Sequence, residues 1–273
     1  MENKNFSSTS QGIMTKTALV TGAASGLGFE MALLLAKDGY KLILVDINAE
    51  NLAKVKSELE GDFKVEVITL AKDLSLPNIA QNIIDDLGNP QIDVLINNAG
   101  FGLFGNFAET NWERESAMLH VHIMTTTHLT KLVLKGMIQR GSGQILNMSS
   151  LAAFQPGPLM SIYYASKGYM LSFSEAIACE LKGTGVTVTA LCPGPTKTAF
   201  QETVSEDTKE NKITFNMASA KEVAAYGYKA MLKGKPVAIP GGFNKFLATL
   251  PRVMPRNLAA SIVKKIQEKN RED

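Results

Sequence analysis

The stretch TGAASGLG (21–28) follows the short apolar run TALVT (17–21) and leads into helical spacing from Phe29 to Lys37. Glycines at 22, 26 and 28 let a pyrophosphate come close to the backbone, and the free amides and dipole of a helix starting there attract negative charge. Three glycines in a loop carry little weight alone, and their G-x-x-x-G-x-G spacing departs from the commoner dinucleotide fingerprint. Their place after a strand and before a helix is what makes them a candidate phosphate cradle.

Outward from that stretch the alternation continues to the end of the chain. Runs rich in Val, Ile and Leu occur at KLILVD (41–46), KVEVITL (64–70), DVLINNAG (93–100), GQILNMSS (143–150), VTVTALCPG (186–194) and PVAIPG (236–241). Helical spacing fills the gaps, at Ala49 to Leu59, Ile79 to Leu87, Trp112 to Gln139, Ser161 to Lys182 and Lys221 to Leu232. Strands apolar on both faces belong to a parallel sheet covered by helices. The expected fold is α/β, a Rossmann-like doubly wound parallel sheet of about seven strands with helices on both faces. Its ligand crevice should lie at the carboxyl ends of the strands.

With 273 residues, 45% apolar and 20% charged, the chain has the composition of an ordinary globular protein rather than a disordered or fibrous one. A formal charge of +2 gives no general field to gather nucleic acid. Cys179 and Cys192 are too few for a disulfide framework and lack metal-ligand spacing, so free thiols in a reducing compartment are expected, with no metal. No apolar run is long enough to span a membrane, and the polar opening residues lack the apolar core of a signal peptide, so a cytoplasmic location is expected. Residues 1–15 read as a leader outside the fold, and 16–273 as one catalytic domain. The domain should carry a substrate lid over about 195–218 and a helical extension over about 243–269. In that extension Leu258, Ile262, Val263 and Ile266 recur beside Lys264, Lys265 and Lys269. Packing on its own core, a cap over the site, a subunit contact and a peripheral lipid contact are all open readings.

Asp46 ends the second strand-like run, where a carboxylate can accept hydrogen bonds from ribose hydroxyls and repel a 2′-phosphate. Neither Ser25 nor Ile47 is basic, so NAD is expected over NADP; capping of the next turn is the other reading of Asp46. Asp73, Leu74 and the NNAG segment (Asn97, Asn98, Ala99, Gly100) lie at the same carboxyl edge, facing the adenine and its surroundings.

At the other end of the chain's logic, Ser149-Ser150 closes the fifth run, and YYASK places Tyr163 and Lys167 one helical turn apart. On one helix face the ammonium can favour phenolate and lower the phenol's pKa, while Ser150 holds a substrate oxygen. The chemistry suggested is hydride transfer between a nicotinamide and a carbonyl carbon.

These segments together, TGAASGLG, LVDIN (44–48), NNAG (97–100), NMSS (147–150), YYASK (163–167) and PGPTKT (193–198), resemble the single-domain branch of the short-chain dehydrogenase/reductase family over residues 16 to 242. The resemblance implies Tyr163 as proton donor or acceptor, Lys167 as its tuning cation and a ligand of the nicotinamide ribose, and Ser150 as the substrate-orienting hydroxyl. It also implies cofactor contacts from Gly22, Ser25, Gly26, Leu27, Gly28, Asp46, Pro193, Gly194, Thr196 and Thr198. A homodimer or homotetramer is implied too, paired through the two long helices. One departure stands out: His122 occupies the place where such proteins usually carry an Asn that continues a proton path to solvent. An imidazole there could relay protons with its own titration near pH 6.5, or could fill space.

The expected substrate loops are apolar: Phe101, Leu103 and Phe104, then Leu151, Phe154, Pro156, Pro158 and Met160, with Phe200, Val204, Ile213, Phe215 and Met217 in the lid. No Arg or Lys lies in the first two loops, so a lipophilic alcohol or ketone is expected rather than an anionic acid. Two other readings remain at this point: an epimerase or dehydratase, which would need a longer substrate domain, and an NAD-binding sensor or scaffold, which would not need Ser150, Tyr163 and Lys167 together.

Overall fold

The computed structural model describes residues 15–198 and 217–272. Seven strands form one parallel sheet: β1 (Thr17–Thr21), β2 (Lys41–Asp46), β3 (Val67–Ala71), β4 (Val94–Asn97), β5 (Gly143–Met148), β6 (Val186–Leu191) and, after a two-residue ladder of β7 (Thr196–Lys197) with β8 (Ala218–Ser219), β9 (Val237–Ala238). The spatial order is β3-β2-β1-β4-β5-β6-β9, so the winding reverses between β1 and β4. Register is continuous there, with Leu19 beside both Ile43 and Leu95.

Alternation within each strand splits the core. Ala18, Val20, Leu42, Leu44, Val94 and Ile96 face α1 (Gly26–Lys37), α2 (Ala49–Phe63) and α7 (Ala220–Leu232) through Met31, Leu35, Leu52, Val223 and Met231. Leu19, Ile43, Val45, Leu95 and Ile145 face the other way, onto α3 (Ile79–Asp86) and α5 (Thr126–Arg140) through Ile83, Leu129, Val133 and Met137. Each such Leu or Ile removed from water contributes about 2 kcal/mol before entropy is subtracted, so both faces of every central strand hold the sheet in place.

Two departures from the expected elements have local causes. The third run starts its ladder only at Val67, because Lys64 closes α2 in the left-handed conformation (φ 55°) and turns the chain. The long helix from Trp112 is not uniform either. It runs as α4 (Trp112–Leu119), a π-helical turn over His120–Thr125, then α5, and such a widened turn commonly marks a functional position. Beyond β5 a short 3₁₀ turn (Leu151–Phe154) precedes α6 (Ser161–Glu180). The chain closes with α8 (Gly242–Thr249) and α9 (Arg256–Glu272). No helix among the described residues is long and apolar enough to cross a membrane. The leader reading, and the lid reading over 199–216, lie outside the described residues.

Candidate active site

A cleft of about 1130 Å³ opens at the carboxyl edge of the sheet, over the point where the winding reverses. Every residue expected to hold the dinucleotide lines it, except Gly28 and Asn97. A Cβ on Gly28 would stand 1.9 Å from the Gly22 carbonyl oxygen, so this glycine lets α1 pack under the loop instead of facing the cleft. Gly22 (φ 65°) and Gly26 (φ 55°) take the left-handed conformation that lets the loop fold back on itself. The first turn of α1 holds no acidic residue, so the positive helix end stays uncompensated toward the cleft.

Polar side chains hold this end rigid. Thr21 Oγ1 accepts from the amides of Asn98 (3.0 Å) and Ala99 (3.1 Å), and Asn98 Nδ2 donates to the carbonyls of Thr21 and Gly22. Asn97, expected at the adenine, instead lies buried and donates to Asn147 Oδ1 (2.8 Å) and Thr130 Oγ1, tying β4 to β5. Asp46 accepts from the Ala24 and Asn48 amides at 3.0 Å each, so it does cap its turn while lining the cleft. Asp73 likewise caps, accepting from Ser75. The glycine loop, the helix end and a carboxylate at the end of β2 together fit an adenine dinucleotide.

At the other end stand Ser150, Tyr163 and Lys167. Ser150 follows β5 and accepts from the Ala152 amide, which fixes its hydroxyl at the strand end. It also hydrogen-bonds the Tyr163 phenol. Lys167 is buried, donates to the Met148 carbonyl at 3.0 Å, and lies 5.6 Å from the centre of the Tyr163 ring. The expected lowering of the Tyr163 pKa is corrected by this geometry. Burial dominates and pushes the phenol up to about 12 against the opposing hydrogen bond from Ser150. Burial also pulls Lys167 down to about 8, countered by the nearby Cys192. Near neutral pH the pair is therefore a protonated phenol beside an ammonium ion, a proton donor with a cation behind it.

His122 lies outside the cleft, in the π-helical turn, with its ring 6.0 Å from that of Tyr163. Its Nε2 lies 3.2 Å from the Phe101 amide, a fixed donor, so Nε2 is the acceptor and Nδ1 carries the proton. Nδ1 then donates to Ser166 Oγ (2.9 Å), which donates to the Tyr163 carbonyl (2.8 Å). Burial, with Lys167 nearby, holds the imidazole well below its usual 6.5. Of the two readings open for this residue, these contacts fit a neutral ring that braces the first turn of α6. Gly100 makes room for it, since a Cβ there would meet Nε2 at 2.5 Å.

Of the expected substrate side chains, Phe101, Leu151 and Met160 line the cleft, whereas Leu103 is buried and Phe104, Phe154, Pro156 and Pro158 are not on its wall. Sequence reasoning missed three groups that are. Lys72, beside Asp46 across the sheet, is paired with Asp86 at 2.6 Å; Arg114 lies over the Phe101 ring; and Tyr164 accepts from Gln267 of α9 at 2.9 Å. Arg114 brings a cation to the substrate end from outside the two loops that carry none. The wall is completed by Leu250 and Met254, from the connection between α8 and α9, and by Val263 and Ile266 of α9.

The chain is similar to known proteins both in sequence and in fold. Residues 16–209 match the short chain dehydrogenase family. A ketoacyl reductase, HetN, from a Nostoc species is 30% identical over 241 residues, covering 88% of this chain and 83% of that one. The human very-long-chain 3-oxoacyl-CoA reductase is 34% identical over 180 residues, which is 64% of this chain but 58% of the relative's own length. Among solved structures, a short-chain dehydrogenase from Sphingobium yanoikuyae in complex with NADPH superposes with a TM-score of 0.78 at 26% identity, covering 90% of this chain and 98% of that one.

Proposed function

Because the chain belongs to the short-chain dehydrogenase/reductase family of NAD(P)-dependent oxidoreductases, we propose that it transfers a hydride between NAD(H) and a lipophilic ketone or secondary alcohol, through Ser150, Tyr163 and Lys167. The observation that carries this reading is the convergence of those three side chains at one end of a cleft whose other end is the glycine loop and Asp46.

A bound nicotinamide dinucleotide supplies or accepts the hydride. Gly22, Ser25 and Gly26 would hold its phosphates, Asp46 its adenosine ribose, and Pro193, Gly194, Thr196 and Thr198 its nicotinamide end. In reduction, Ser150 holds the substrate oxygen while the Tyr163 hydroxyl gives it a proton as negative charge builds there. The Lys167 ammonium, present below about pH 8, favours the phenolate left behind. The preference for NAD(H) rests on Asp46, whose charge opposes a 2′-phosphate. Lys72 also lines the cleft, paired there with Asp86. The substrate class rests on the apolar wall of Phe101, Leu151, Met160, Met254 and Val263, and is consistent with relatives named as ketoacyl and 3-oxoacyl-CoA reductases. Assembly as a homo-oligomer belongs to the same reading.

The test is Tyr163→Phe. This variant should bind NADH as the unaltered protein does while turnover of lipophilic ketones, followed by nicotinamide absorbance, falls by about 10²-fold or more. Near-normal turnover refutes the catalytic assignment, and tighter binding of NADPH than NADH by the unaltered protein refutes the role given to Asp46.

A further inference from the structure

Residues 242–269 combine two properties. Large apolar side chains stand in water along them: Phe243 is 69% exposed, Val253 80% and Leu258 50%, with Phe246, Ile262 and Ile266 also exposed. The same stretch carries Lys245, Arg252, Arg256, Lys264, Lys265 and Lys269 against only Glu268, whereas the whole chain has a formal charge of just +2. The rest of the protein is thus net negative, and the positive charge is gathered where apolar surface is exposed.

The arrangement is directional. On α9, Leu258, Ile262 and Ile266 recur every four residues as an exposed stripe, while the adjoining Ala259 and Val263 are buried against the cleft. Leu247, Ile262 and Ile266 belong to both surfaces, since they line the cleft and stand exposed at its rim. Lys265 and Lys269, three residues beyond Ile262 and Ile266, border the stripe, where long stems can lie on apolar surface with their ammonium groups held outward. The bond from Gln267 to Tyr164 ties α9 to the helix that carries Tyr163.

We propose that this segment docks on an anionic lipid bilayer, its apolar rim in the acyl boundary and its cations among the headgroups, so that the cleft mouth opens onto lipid. Charge selects this occupant. A two-fold contact between copies would set two patches of like charge against each other, whereas an anionic surface complements them. The docking follows from the surface alone; entry of a carbonyl compound from the bilayer rests in addition on the lipophilic substrate proposed above.

Sedimentation with vesicles tests it. The full chain should pellet with vesicles of phosphatidylcholine containing about a third phosphatidylglycerol, remain largely in the supernatant with phosphatidylcholine alone, and be released as salt shortens the screening length. Lys265→Glu with Lys269→Glu should weaken binding by about tenfold or more, and Phe243→Ser with Leu258→Ser should do the same. Neither pair should alter turnover of a water-dissolved ketone, because none of the four residues lines the cleft. The docking is overturned if the protein stays in the supernatant with anionic vesicles, or if both variants bind as the unaltered chain does. It is equally overturned if the Phe243→Ser, Leu258→Ser variant loses an oligomeric state in lipid-free solution, which would make the patch an interface between copies. Vesicle binding with no reduction of vesicle-dissolved ketones would sink the substrate reading and leave the docking standing.

Discussion

His122 shows how a single residue's chemistry is decided by its surroundings. Imidazole at this position invites a relay, but a backbone amide fixes one nitrogen as an acceptor, Ser166 takes the proton on the other, and burial excludes the cation. The cost appears in stability. In the unfolded chain the ring takes a proton as pH falls below 6.5, whereas the folded ring, held well below that value, does not. The unfolded state then binds more protons, so stability falls with falling pH by up to about 1.4 kcal/mol per unit from this one group, until the folded value is reached. His122→Asn removes the titration. Its unfolding free energy by denaturant should depend less steeply on pH between about 5 and 6.5, even if lost hydrogen bonds lower it throughout by about 1–2 kcal/mol. Equal slopes in the two proteins would show that the folded ring takes up its proton as the unfolded one does. The same tautomer predicts that turnover carries no limb at the histidine's usual value.

At the scale of elements, the glycines separate those that shape the site from those that do not. Gly28→Ala drives a Cβ into the Gly22 carbonyl and against Asn98 Nδ2, at 1.9 and 2.6 Å, and both neighbours are themselves fixed. It should lose dinucleotide binding and destabilise the fold by about 1–3 kcal/mol. Gly61, inside α2, has nothing within 4 Å of a Cβ, so Gly61→Ala should instead stabilise by about 0.5–1 kcal/mol, read as a raised Tm. Loss of NADH binding in both variants, or in neither, would contradict the assignment. The seven apolar runs were legible in the sequence because strands buried on both faces need no partner to be recognised; Tyr163 and Lys167 were legible as a pair one helical turn apart, and Ser150 joined them through the resemblance carried by NMSS and YYASK. Arg114, Tyr164 and Gln267 were not legible, since they reach the cleft through packing between distant segments; Gln267 meets Tyr164 across 103 residues. The π-helical turn was hidden as well, because one widened turn hardly disturbs apolar spacing over a helix of that length.

For the whole molecule, a second group of exposed apolar side chains lies away from the C-terminal segment. Met124, 61% exposed, and Tyr169 stand on the two long helical elements, which are joined where Thr127 Oγ1 meets Tyr169 Oη at 3.0 Å, and Tyr169 stacks on Phe173 at 5.8 Å. These side chains form a patch without the concentrated positive charge of residues 242–269, so self-association across a two-fold axis meets no comparable repulsion there. Such an axis would set α5 and α6 of one copy against the same helices of the other. A stable contact needs about 800 Å² from each partner, more than this patch alone provides, so neighbouring polar residues of both helices must be covered as well. Light scattering should therefore give at least twice the 29.5 kDa chain mass at micromolar concentration. Met124→Glu with Tyr169→Glu should reduce it to one chain, by placing four carboxylates within a dimer contact. A monomer mass for the unaltered protein would refute the pairing. An oligomer indifferent to both substitutions would move the contact to another face, and the Phe243→Ser, Leu258→Ser variant would then decide whether that face is the one assigned here to lipid.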